Sequence, residues 1–163
     1  MAHIIDGYRG LLMLSRRDWL RSSVLGAAGV LVSRRIVGAE PLPVVAVYKD
    51  PACECCARWV KHLSANGFVA TVRDSLDMPA VKRTMGVPDA LQSCHTAVVG
   101  KYVVEGHVPA DVIKKLLAEK PAVMGLAVPG MPVGSPGMEG STKQAYNIIA
   151  FERDGKTRVY LKR

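Results

Sequence analysis

The stretch DPACECCARW, residues 50–59, places three of the chain's four cysteines within four positions. Thiols at that density suit three kinds of chemistry: a structural disulfide, thiol–disulfide exchange, or capture of a soft metal. Cys53 and Cys56 have the C-x-x-C spacing of a redox pair. Cys55 lies outside that pair and next to Cys56. Neighbouring side chains diverge by about 100° on a helix, and a disulfide between them is strained. Single zinc ions favour ligands spaced as C-x-x-C or wider. C-x-C-C suits several metal ions bridged by sulfur, and thiolates select copper(I) among the soft metals.

Met124, Met131 and Met138 recur every seven residues in MGLAVPGMPVGSPGM. Proline and glycine exclude a helix there, so the spacing is no helical stripe. Thioether suits copper(I) and hardly suits zinc. Met131 and Met138, flanked by the strongest turn formers, are the candidate ligands; plugging the loop onto a core is the alternative for each of the three. His95 follows Cys94 directly and is expected within reach of the cluster. His62 lies about 10 Å along a helix from Cys55 and is expected to be structural, near Trp59. His107 precedes a helix start and is expected to bond a backbone group or to approach the site. Lys49 and Asp50 are expected to be exposed charges.

The elements that must position these residues follow from periodicity and punctuation. PVVAVY (43–48) is expected as a buried strand, and Cys56, Val60 and Leu63 form an amphipathic helix stripe ended by Asn66-Gly67. A second strand spans 68–73. A helix spans 78–85, with Asp77 as N-cap and Pro79 in its first turn. TAVV (96–99) and KYVVE (101–105) pair across Gly100. A helix runs from Pro109 to Lys120 with Val112, Ile113, Leu116 and Leu117 inward. Residues 122–142 are expected as a Gly/Pro/Met-rich loop, followed by a C-terminal β-hairpin, 145–151 with 157–161. A strand, a cysteine loop and a helix opening on C-x-x-C make the α/β, thioredoxin-like layout of a single domain with a mixed sheet. In that layout the loop carrying Ser93-Cys94-His95 packs against the cysteine loop, so the fourth thiol is expected beside the other three.

Residues 1–39 read as a twin-arginine signal peptide: SRRDWL (15–20), an apolar run from Val24 to Val32, then Val37-Gly38-Ala39 as a cleavage site. The apolar run is shorter than the ~20 residues a membrane span needs. Residues 40–163 form the expected mature domain, not membrane-spanning. Of the chain's net charge of +8, the leader carries six arginines and two aspartates, leaving 16 basic and 12 acidic residues, a net +4. That charge favours solubility, and no basic stripe with interleaved aromatics points to nucleic acid. The expected compartment is the oxidising periplasm.

YKDPACECCARWVKHLSANGF, SCHTAVV, EGHVP and GLAVPGMPVGSPGME together resemble the periplasmic CopG-type copper-resistance proteins, a family predicted to bind metal. The resemblance covers nearly all of the mature chain. It implies a thioredoxin-like fold, a copper site of clustered cysteines, and handling of copper between its two oxidation states alongside periplasmic copper efflux. Carried onto this chain, the metal positions are Cys53, Cys55, Cys56 and Cys94, with His95 and the loop methionines Met131 and Met138. Glu54 departs from the glycine expected in many relatives.

The expected function is therefore copper sequestration, with more than one ion per chain and with interconversion of Cu(I) and Cu(II) as an accompanying activity; copper efflux or chaperone proteins would be partners. Two alternatives stand beside it. A thiol–disulfide oxidoreductase using Cys53 as nucleophile and Cys56 as resolving thiol explains the C-x-x-C. A domain with two structural disulfides explains only the cysteine count.

Overall fold

The computed structural model describes residues 41–163, so the expected twin-arginine leader lies outside the described residues. Strand β1, Val45–Lys49, alternates buried and half-buried positions, with Val45 and Val47 fully enclosed. The cysteine loop follows and runs directly into α1, Glu54–Ala65. The buried stripe of α1 is Cys56, Trp59 and Leu63. Trp59, rather than the expected Val60, is its centre, because the larger ring at i+3 fills the space under the sheet and leaves Val60 on the margin. The helix ends as expected at Asn66-Gly67: Gly67 takes φ +86°, and the amides of Gly67 and Phe68 return to Ser64 and Leu63 in a Schellman closure.

Strand β2 is Ala70–Asp74, two residues later than the sequence pattern starts it, because Phe68 is drawn into the core beside the helix cap. Helix α2, Met78–Thr84, has the expected N-cap: Asp77 Oδ1 accepts from the Ala80 amide at 2.9 Å. A short 3₁₀ turn, Asp89–Leu91, leads to β3, His95–Val99, which turns through Gly100 into β4, Tyr102–Glu105. Helix α3 is Ala110–Glu119. The segment expected as pure loop contains one further strand, β5, Gly125–Ala127. Three residues are too few for a periodic signal. At Gly125 a Cβ would lie 2.1 Å from the Val103 carbonyl oxygen, so only glycine lets this strand approach β4. Strands β6, Asn147–Phe151, and β7, Thr157–Lys162, form the expected terminal hairpin.

The seven strands of the described residues join one mixed sheet, in the order β2-β1-β3-β4-β5-β6-β7. Strand alternation sorts its side chains to two faces. Ala97, Val104 and Leu126 pack with Trp59, Leu63, Ile113 and Leu116 beneath α1 and α3. Val103, Ala127 and Phe151 point the other way and pack with Val87 and Leu91. The described residues thus form an α/β domain with three α-helices. The antiparallel register pairs Lys49 with His95 and Thr96 with Glu105. The C-terminal ends of β1 and β4 therefore meet the N-terminal end of β3 at one edge of the molecule.

Candidate metal centre

That convergence brings Cys94 to the cysteine loop. Lys49 ends β1 and Asp50 begins a tight turn in which the Cys53 amide donates to the Asp50 carbonyl at 3.0 Å. The Lys49 ammonium, buried rather than exposed as expected, braces the turn: it donates to the Asp50 and Pro51 carbonyls and pairs with Asp74 at 3.1 Å. Asp50 accepts from the Ala52 amide at 2.8 Å. The three cysteines then fall at the first turn of α1. Cys53 and Cys56 are joined as a disulfide, and Cys55 and Cys94 are free thiols.

The four sulfurs lie within 4.8 Å of one another. Cys55 Sγ is 3.5 Å from Cys53 Sγ and 4.0 Å from Cys94 Sγ. A second group overlaps the first: Cys94 with His95 and His107. His95 Nδ1 stands 3.5 Å from the Cys94 sulfur, and His107 Nε2 only 2.9 Å from it. His107 Nδ1 is 2.6 Å from the Pro136 carbonyl, which can only accept, so Nδ1 carries the proton and Nε2 presents its lone pair to Cys94. The sequence offered His107 either a backbone bond or the site, and it makes both contacts. Its position two residues beyond β4, opposite Cys94, is the signal that would have found it as a donor.

Behind these donors the site is closed by packed side chains. The Trp59 ring packs on His95 at 4.3 Å between centroids, and its indole N–H donates to the Val108 carbonyl at 2.9 Å. His95 is fully buried and, among the described residues, its Nε2 has no hydrogen-bond partner. Burial holds its pKa well below the usual histidine value, helped by the neighbouring His107 and Lys82, so the ring is neutral. Burial also lowers His107. The Cys94 thiol goes the opposite way: burial, and then the nearby Cys55, push it up to about 12. His62 is structural, but at a different task from packing near Trp59: its Nε2 accepts from the Ala110 amide at 3.1 Å, capping α3.

The Gly/Pro/Met loop closes over the cluster. Arg58 Nε donates to the Gly137 carbonyl at 2.9 Å, and Glu139 accepts from the Gly137 amide at 2.7 Å. The Gly137 α-carbon lies so close that a Cβ there would stand 2.7 Å from the Cys55 carbonyl oxygen and 3.2 Å from His107 Nδ1. Met138 follows it, half-buried. Met131 is 48% exposed, next to Gly130, whose carbonyl lies 3.4 Å from the Ser93 hydroxyl. Met124 is part of the opposite-face core, its methyl group occupying the space where a Gly86 Cβ would go.

The donor set is soft and fits copper(I): two free thiols, two more once the Cys53–Cys56 disulfide is reduced, and neutral imidazole nitrogen, with no carboxylate in the cluster among the described residues. A family model described as a protein of unknown function, DUF411, matches residues 91–138, the segment from the Cys94 loop to Met138. Two solved structures resemble the chain. "Copper resistance protein copG- Form 1" is 47% identical, covering 75% of this chain and 98% of its own, with a TM-score of 0.71. "Copper resistance protein copG- Form 2" is 49% identical over 76% of this chain and 99% of its own, at 0.72. No curated protein matches.

Proposed function

The chain belongs to the CopG family of copper resistance proteins, and on that premise we propose that it is a periplasmic protein that sequesters copper on its clustered thiolates. The observation that carries this is the gathering of four sulfurs within 4.8 Å, one of them 39 residues from Cys55 in sequence. Cys53, Cys55, Cys56 and Cys94 would bridge more than one ion. His95 and His107 supply nitrogen on the buried side, and Met131 and Met138 complete or gate the open side. The strand, cysteine loop and helix, with Cys94 delivered from across the sheet, support a thioredoxin-like fold. The SRRDWL leader supports export by the twin-arginine route as a folded chain, and copper efflux or chaperone proteins are the expected partners.

The same cluster can move copper between its oxidation states. Closing the Cys53–Cys56 disulfide releases two electrons and two protons, which reduces two Cu(II) to two Cu(I). Opening it again takes two electrons from an external dithiol, which leaves as its own disulfide, and restores two thiolates to hold the product. Reduced protein is expected to bind more than one copper(I) per chain, measured by metal analysis after anaerobic loading. Cys55→Ser should weaken loading while sparing exchange at the Cys53–Cys56 pair; unchanged loading would refute a bridged cluster.

The closed disulfide favours a second function, a thiol–disulfide oxidoreductase. Full insulin-reductase activity with no copper uptake would establish it over the first. It leaves Cys55, Cys94 and His107 without a task.

A further inference from the structure

Beneath the edge that carries the site lies a charge pair that the copper chemistry does not use. Glu105 ends β4 with no solvent exposure, and Lys82 on α2 is 5% exposed. Glu105 Oε1 accepts from Lys82 Nζ at 2.5 Å and from the Ser93 amide at 2.6 Å; Oε2 accepts from the Thr96 hydroxyl at 2.6 Å. Lys82 Nζ also reaches the Thr96 hydroxyl at 3.2 Å. Ser93 and Thr96 bracket Cys94-His95. Glu105 is itself followed by Gly106, whose amide donates to the His95 carbonyl at 2.9 Å, and then by His107.

Strand alternation puts Thr96 and Glu105 on the face opposite Ala97 and Val104, and hence opposite the Trp59–His95 stack. The pair therefore acts through the main chain. One carboxylate ties both flanks of Cys94 to the strand that delivers His107. As a stabilising device a buried ion pair is a poor choice, because apolar residues of similar volume commonly do as well or better. What this pair produces is a fixed separation between two chain segments. We infer that Lys82–Glu105 is a positioning pair, which holds Cys94 Sγ and His107 Nε2 side by side, 2.9 Å apart, so that one copper ion can engage both. This rests on the copper-binding function above.

The test compares three variants with wild type: K82M/E105L, which removes the clamp without stranding a charge; K82M/E105Q, whose amide remakes the Ser93 and Thr96 bonds; and T96V, which removes one strut. Copper(I) affinity is read by competition with a chromogenic chelator. The ratio of Cys94 to Cys55 alkylation in metal-free protein is read by mass spectrometry, and folding by a cooperative melt. K82M/E105L should lose roughly 10–100-fold in copper affinity, the usual cost of removing a partner behind a ligand, and its alkylation ratio should change. K82M/E105Q should return both to near wild type. T96V should move both in the direction of K82M/E105L, and serves in its place if that variant does not fold. Wild-type affinity and ratio in the folded clamp variant would overturn the inference. Wild-type protein that takes up no copper would overturn the function instead, and the metal-free ratio would still decide the clamp.

Discussion

Two free thiols 4.0 Å apart have different surroundings. Cys94 is held by burial at a pKa of about 12, so near neutral pH it is a thiol, and its proton has to leave when a metal arrives. Below that value the thiolate fraction rises with pH. Alkylation of Cys94 in metal-free protein should therefore climb about tenfold per pH unit and show no plateau up to pH 10. Quenched-flow mass spectrometry of the Cys94 peptide checks this, and levelling near pH 9 would refute it. His95 and His107 shift in the opposite sense for the same reason, since burial disfavours the charged form of each group. A depressed pKa keeps both rings neutral, and so able to donate, at pH values where an exposed histidine would already be charged.

Among the elements, the Gly/Pro/Met loop is the one whose backbone touches the site most closely. Gly137 combines φ +88° with a Cβ position 2.7 Å from the Cys55 carbonyl and 3.0 Å from the Trp59 amide. Gly137→Ala should push the loop off α1, costing about 1–3 kcal/mol. It should also break the Pro136–His107 bond that fixes the imidazole tautomer. A lower melting temperature together with weaker copper(I) competition is the expected pair of results; a wild-type melt would show that the loop gives way freely. This backbone contact has no signature in sequence, where Gly137 is one of many turn residues. The helices were legible because capping and spacing are local: Asp77, Pro79 and Asn66-Gly67 announce their roles. The meeting of Cys94 with the trio was legible only through the expected strand order. Met131 and Met138 were legible as loop residues, and the structure leaves one exposed and the other half-buried. The buried state of Glu105 was illegible, because KYVVE at a strand end reads as a charge leaving for solvent. Its partner Lys82 sits on a short helix whose inward face only the packing decides.

At the scale of the whole molecule, the donors fall into two classes by chain distance. Cys53, Cys55 and Cys56 are neighbours in any conformation, so the unfolded chain keeps them close enough to bind copper(I). Cys94 and His107 join them only because β1, β3 and β4 pair in one register. A ligand stabilises the fold only by the excess of its affinity for the native state over the unfolded one. Copper held by the trio alone should leave the melting temperature almost unmoved. Copper that also engages Cys94 and His107 should raise it, by an amount growing with free copper as the native-state site fills. Reduced wild-type protein melted in buffered copper(I) should therefore show a rise that Cys94→Ala and His107→Ala each cut sharply. Cys55→Ala, which takes its sulfur from both states, should cut the rise less than either. Equal loss of the rise in all three variants would mean that the trio is not preorganised for copper in the unfolded chain. The fold would then be what assembles every ligand, the local three included.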